Sequence, residues 1–177
     1  GQAFEALRVG PAAMDLDLGP LIRASQQQRV WDFLSDAQVA GIAVVAQGQI
    51  VEDAPDNGFY QAPTLLRDVP PEHRLAQEEI FGPVLCAMPF HDEDHAVQLA
   101  NGTAYGLVAG LWTRDGARQL RLARRLRCGQ VFINNYGAGG GVELPFGGIK
   151  SSGHGREKGF EALYGFTTLK TLSLIHI

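Results

Sequence analysis

Two acidic side chains stand side by side at Glu78 and Glu79, directly ahead of Ile80-Phe81-Gly82-Pro83-Val84. A carboxylate is acceptor-only, and its two oxygens can take two hydroxyls at once. Vicinal hydroxyls are what a ribose offers, and a neighbouring aromatic such as Phe81 can lie against a flat heterocycle. Adjacent acids more often simply face water. For either to do chemistry, the rigid Gly-Pro turn and the apolar strand after it must aim the side chain.

A second constellation runs from Asn134 to Glu157, NNYGAGGGVELPFGGIKSSGHGRE. Of 22 glycines in the chain, ten fall between Gly129 and Gly159, so the backbone there needs positive φ or close approach. A surface loop fits this composition. A phosphate cradle fits less well, because neither Walker A nor G-x-G-x-x-G spacing occurs between a strand and a helix. Pro145-Phe146 suggests a third use, a rigid turn presenting an aromatic side chain as a pocket wall.

Other reactive residues point to structure. Cys86 lies in an apolar run and Cys128 precedes Gly129, and neither has an adjacent His or a helix N-terminus to activate it. Both are expected to be reduced structural thiols of a cytoplasmic protein. His91 and His95 are four apart, but Asp92 rather than Glu follows the first, so no metal is expected. Arg118, Arg121, Arg124, Arg125 and Arg127 crowd one helix as a solvated face favouring its C-terminal end. His154 is expected at a helix start after a glycine turn.

The elements that would position these residues follow from periodicity. Gln2 to Val9 reads as the last turns of a helix already under way, so the chain is expected to begin inside a larger protein. Ser25 is placed to cap a helix running to about Ala40, with Val30, Phe33, Leu34 and Ala37 inward and Gly41 closing it. Residues 41–46 read as a strand, and 59–69 as an extended segment stopped by Pro70-Pro71. Val84 to Met88 is a strand, and Asp92 caps a helix with Ala96, Leu99 and Ala100 inward. Leu107 to Trp112 is a strand, and Asp115 caps a helix to Arg127 with Ala117, Leu120, Ala123 and Leu126 on one side. Gln130 to Asn134 is a strand, and Arg156 to about Tyr164 a helix. The β-α-β-α-β order predicts an α/β fold with a mostly parallel sheet and flanking helices.

Composition agrees. The 177 residues are 45% hydrophobic and 19% charged, which excludes wholesale disorder. A net charge of −4 argues against nucleic acid as partner. No apolar stretch approaches the roughly 20 residues a spanning helix needs, so no membrane partner is expected.

Four segments in order carry a family resemblance: EEIFGPV (Glu78 to Val84), ANGTAYGL (Ala100 to Leu107), CGQVFINN (Cys128 to Asn135) and PFGGIKSSGHGRE (Pro145 to Glu157). Together with GPLI (Gly19 to Ile22), GFYQAPTLL (Gly58 to Leu66) and an end strand bearing Lys170, they resemble the C-terminal part of the aldehyde dehydrogenase superfamily over nearly the whole chain. The resemblance implies oxidation of a small-molecule aldehyde to a carboxylic acid with NAD or NADP. It implies that Glu79 grips the nicotinamide ribose, that Phe81 lies near the nicotinamide, and that Phe146 lines the aldehyde tunnel.

The family's nucleophilic Cys, in a Gly-Gln-x-Cys stretch, and its general base, in a Glu-Leu-Gly-Gly stretch, have no counterpart in these residues. No catalytic residue is therefore expected in this chain, and most of the cofactor-binding half lies elsewhere. Residues 1–151 are expected to be the C-terminal part of the catalytic domain. Residues 152–166 are expected to be a helix packed on the cofactor domain, and 167–177 an oligomerisation strand or tail of a homo-oligomer. The last residues, Leu174 to Ile177, also read as a possible cloning scar. Two other readings are a non-catalytic interaction remnant and a relative that passes the acyl group to CoA.

Overall fold

The computed structural model describes residues 1–136 and 141–175. They fall into two compact units, Gly1–Pro89 and Phe90–Ile177. The expected elements are met at most strands and missed at several helix ends, and the α/β class holds in both units.

The first unit contains α1 (Gln2–Glu5), β1 (Arg8–Val9), α2 (Ala24–Val39), β2 (Ala43–Gln47), β3 (Gln49–Ile50), β4 (Thr64–Arg67), α3 (Arg74–Gln77) and β5 (Val84–Ala87). Its main sheet has the order β2-β4-β5, with β2 antiparallel and β5 parallel to β4. A separate parallel pair joins β1 to β3. The apolar stripe of α2 does what its spacing predicts. Val30, Phe33 and Ala37 are buried, and Leu34 packs at the edge of the same cluster. They meet Leu66, Val69, Leu75 and Ile80, so α2, β4, α3 and the turn before β5 share one core. Ser25 is not the helix cap. Arg23 occupies that position with extended backbone and no capping side chain. The expected opening helix is one turn, and Arg8–Val9 leaves it to pair as a strand.

The second unit contains α4 (Glu93–Asn101), β6 (Tyr105–Gly106), β7 (Val108–Leu111), α5 (Gly116–Ala123), β8 (Gln130–Ile133), β9 (Ile149–Lys150) and α6 (Ala162–Gly165). β7 and β8 pair in parallel with α5 as their crossover, the βαβ unit read from the sequence. β6 and β9 pair antiparallel, a ladder too short for periodicity to announce. Asp92 and Asp115 cap as expected, accepting from the His95 amide at 2.8 Å and the Arg118 amide at 3.0 Å.

The inward faces of both helices differ from expectation. Val97 and Leu122 are the buried hydrophobic residues, whereas Ala100, Ala117 and Leu120 are exposed. Helical spacing defines a stripe but not which of two apolar stripes meets this unit's own sheet. The helix expected over 156–164 is reduced to the single turn of α6, because Lys158 and Gly159 adopt left-handed backbone ahead of it. Residues 167–175 pair with no strand among the described residues, and His176 and Ile177 lie outside them.

Candidate functional site

The two adjacent glutamates have different surroundings. The Glu78 carboxylate is engaged with Arg74 Nε at 3.5 Å and Arg29 Nη2 at 3.9 Å. Arg74 also pairs with Asp36 at 2.6 Å, and both arginines lie over the Phe33 ring, at 4.0 and 4.9 Å. Glu78 is thus part of the bracing between α3 and α2. The Glu79 carboxylate is exposed and has no hydrogen-bond or ion-pair partner among the described residues. An acceptor-only group left free beside a concavity is available to hydroxyl donors.

The turn itself is shaped by α2. Arg29 Nη2 donates to the Glu79 carbonyl at 2.6 Å, and Gln26 Nε2 donates to the Ile80 carbonyl at 3.1 Å and the Phe81 carbonyl at 2.6 Å. Ile80 is buried in the core while its neighbours point outward. Phe81 takes a left-handed φ of 59° with its ring 67% exposed. A non-glycine residue held in that region costs about 1 kcal/mol or more, and such residues cluster at ligand-binding sites. Gly82 follows because the turn presses on α2, and a Cβ there would lie 2.4 Å from Val30 Cγ2. Glu79, Phe81 and Gly82 line a pocket of about 340 Å³, floored by Leu75, Val84 and Cys86.

Phe146 lies in the second unit and lines a different cavity of about 620 Å³ with Leu107, His154, Arg156 and Phe166. Its ring is half-buried rather than turned fully outward. The cause is a two-way backbone bridge with Glu157, at 2.6 Å in each direction. Lys158 Nζ sits 5.9 Å above the ring, within range of a cation–π contact. Gln130 donates to the Pro145 carbonyl at 3.0 Å, and Arg156 to the carbonyls of Gly148 and Gly155 at 3.0 and 2.6 Å. Gly129 permits the closest backbone approach here, since a Cβ would fall 1.7 Å from the Gly147 carbonyl oxygen. Gly137, Ala138, Gly139 and Gly140, part of the glycine-rich stretch, lie outside the described residues.

The remaining reactive groups have structural partners. Cys86 contacts the Leu75 carbonyl at 3.5 Å, and burial pushes its thiol up, the opposite of what a nucleophile needs. Cys128 contacts the Gln130 carbonyl at 3.0 Å. His95 Nδ1 accepts from the His91 amide at 3.3 Å, so one imidazole nitrogen serves the helix start. No group of three His, Cys, Asp or Glu side chains suited to a metal ion occurs among the described residues. The arginine-rich helix is more organised than a solvated face. Arg118 and Arg121 converge on Glu93 at 2.6 and 2.7 Å, and Arg125 meets Asp94 at 2.6 Å. Both arginines hold the Glu93 carboxyl down at about 2. Sequence reasoning did not single out Gln26 or Arg29, since polar residues on a helix carry no signal of what they face.

Comparison with known proteins gives the family. The model of the aldehyde dehydrogenase family matches residues 1–172. The chain is 40% identical over 169 residues to betaine aldehyde dehydrogenase 1 of Rhizobium meliloti (strain 1021), covering 95% of this chain and 34% of that protein. It is 43% identical over 157 residues to the NADP/NAD-dependent aldehyde dehydrogenase PuuC of Escherichia coli (strain K12), covering 88% and 30%. A crystal structure from Burkholderia cenocepacia, assigned to the aldehyde dehydrogenases, superposes with a TM-score of 0.93 at 79% identity, over 97% of this chain and 36% of that one. The chain therefore spans about a third of the length of the relatives it matches. With the family model spanning nearly all of it and the EEIFGP turn built as described, the chain belongs to the aldehyde dehydrogenase family.

Proposed function

We propose that this chain supplies part of the cofactor and substrate site of an enzyme that oxidises an aldehyde to a carboxylic acid with NAD or NADP. The observation that carries this reading is the contrast between the two glutamates. Glu78 is tied into bracing salt bridges, while Glu79 is free, exposed and next to the projecting Phe81 ring. That arrangement suits a nicotinamide riboside, with Glu79 accepting the two ribose hydroxyls and Phe81 packing near the flat ring. The bound cofactor would supply the acceptor for the hydride that leaves the aldehyde carbon. Glu79 fixes the ribose, and the free faces of Phe81 and the pocket floor exclude water from that side. Phe146, with Leu107, would wall the aldehyde's approach. Neither the nucleophile nor the base is assigned to these residues, and the raised Cys86 thiol supports leaving it out of that role.

PuuC is described as using NADP and NAD, which favours the same pair of cofactors here. The unpaired thiols Cys86 and Cys128 suit a reducing, cytoplasmic setting. No helix among the described residues is long and apolar enough to cross a membrane. For assembly, we read residues 167–177 as a strand that pairs with another subunit. Phe166, Leu169, Leu172 and Leu174 are 79–100% exposed along it, a row of apolar side chains that invites another chain. Removing residues 166–177 should lower self-association of this chain in light scattering. A monodisperse monomer at tens of micromolar, unchanged by the truncation, would count against the oligomer reading.

The site reading is tested in the full-length enzyme that contains these residues. Glu79→Gln retains one acceptor and should slow hydride transfer about 10- to 100-fold, the effect of losing a charge-assisted bond. Glu78→Gln should stay within about threefold, since an exposed ion pair contributes little. If Glu78 is the sensitive position, the ribose grip is assigned to the wrong carboxylate.

A further inference from the structure

The turn carrying Glu79 and Phe81 is held from outside. The carbonyls of Glu79, Ile80 and Phe81 accept no backbone amide among the described residues, and each takes a side-chain donor from α2 instead. Gln26 serves two of the three, at 3.1 and 2.6 Å. Arg29, one helical turn on, serves the first at 2.6 Å but does not reach the carbonyl of the strained residue. Val30, on the same face, is the side chain that Gly82 closes upon. Phe81 keeps its left-handed φ of 59° with its ring in the open, so packing of that ring does not hold the backbone there.

We propose that Gln26 is a positioning residue for the reaction. By bonding the Ile80 and Phe81 carbonyls together, its amide holds Phe81 left-handed and so aims the Phe81 ring and the Glu79 carboxylate at one ligand. The inference rests on reading Glu79 as the ribose-binding carboxylate. The primary amide suits this role because one nitrogen carries two N–H donors, which match two successive carbonyls. A hydrocarbon of equal length would leave both carbonyls free to turn toward water, and the residue would relax to negative φ.

The test uses the full-length enzyme with Gln26→Met, Glu79→Gln and the double variant. NADH affinity is read from the fluorescence of the bound nicotinamide, together with kcat and KM, the melting temperature, and a crystal structure of Gln26→Met. The expected result is NADH binding weakened about tenfold by Gln26→Met, with the melting temperature moving by no more than about 2 °C. The double variant should lose less than the product of the two single losses, because both act through one grip. In the crystal, residue 81 should leave the left-handed region. If Gln26→Met does not fold, Gln26→Glu replaces it. Glutamate keeps the length and sets a carboxylate against the carbonyls, with the same loss expected. NADH affinity within twofold of the unmodified enzyme, or a variant crystal with Phe81 still left-handed and the carbonyls unmoved, overturns the proposal. A displaced turn with Glu79→Gln silent instead upholds the positioning role and removes the ribose assignment.

Discussion

The two units are stabilised by different means. The first closes a core of its own, in which Val30, Phe33, Ala37, Leu66, Val69, Leu75 and Ile80 bury one another. The second has only Val97 and Leu122 as buried hydrophobic side chains among its described residues. Its described contacts include ion pairs from α4 to Arg118 and Arg121 of α5 and to Arg125 just beyond it, and glycine backbones in direct contact around Gly129 and Gly147. It leaves Trp112, Leu120, Tyr136, Phe160 and Tyr164 between 61% and 78% exposed. Apolar surface left in water contributes nothing to folding. The comparison teaches that the turn carrying Glu79 and Phe81 in the first unit stands on that unit's own core, whereas the Phe146 segment stands on polar and backbone contacts.

The largest expected effect separates the two units directly. Phe33→Ala removes a fully buried ring from the first core and should destabilise the chain by about 3–5 kcal/mol in urea denaturation. Leu120→Ala in the second unit truncates an exposed side chain and should change stability by less than about 0.5 kcal/mol. Equal losses at the two positions would erase the distinction.

Gly129→Ala should come next. The new methyl would collide with the Gly147 carbonyl, a backbone atom that cannot swing aside, so about 1–3 kcal/mol or more is expected. The damage should be confined to amide hydrogen exchange within residues 90–175. Loss of protection in α2 instead would show that the two units do not hold themselves up separately.

Acid should act on the second unit through Glu93. Its folded-state carboxyl titrates at about 2 against an ordinary value of 4.5, because Arg121 and Arg118 hold its charged form. A depressed carboxyl contributes in full above its unfolded value, so the bracing is complete above about pH 4.5 and is lost as pH falls toward 2. Exchange protection in α5 should weaken over that window, and Glu93→Gln should remove the pH dependence. A profile identical in Glu93→Gln would place the acid sensitivity elsewhere. A small effect is expected from Glu78→Gln, about 0–1 kcal/mol of stability, because both of its arginine partners are themselves substantially exposed.

The amino-acid order alone determined the α/β class, the family, and the inward stripe of α2. It also determined the Asp92 and Asp115 caps and the candidacy of the Glu78-Glu79 pair, Phe81 and Phe146, with Glu79 set apart from Glu78 only by the family resemblance. Each follows from local information: a 3.6-residue repeat, a short polar side chain ahead of a helix, or a run of residue types at set spacing. The tertiary structure decided what depends on contacts between distant segments. Spacing in α5 offered Leu120 and Leu126 on one stripe, but the packing of this unit chose Leu122. Two adjacent glutamates are equivalent on paper, and only the positions of Arg29 and Arg74 show that Glu78 is occupied and Glu79 free. Gln26 looked like any polar residue on a helix surface. Its role exists because folding places it 2.6 Å from the carbonyl of a residue 55 positions away, which no local pattern encodes.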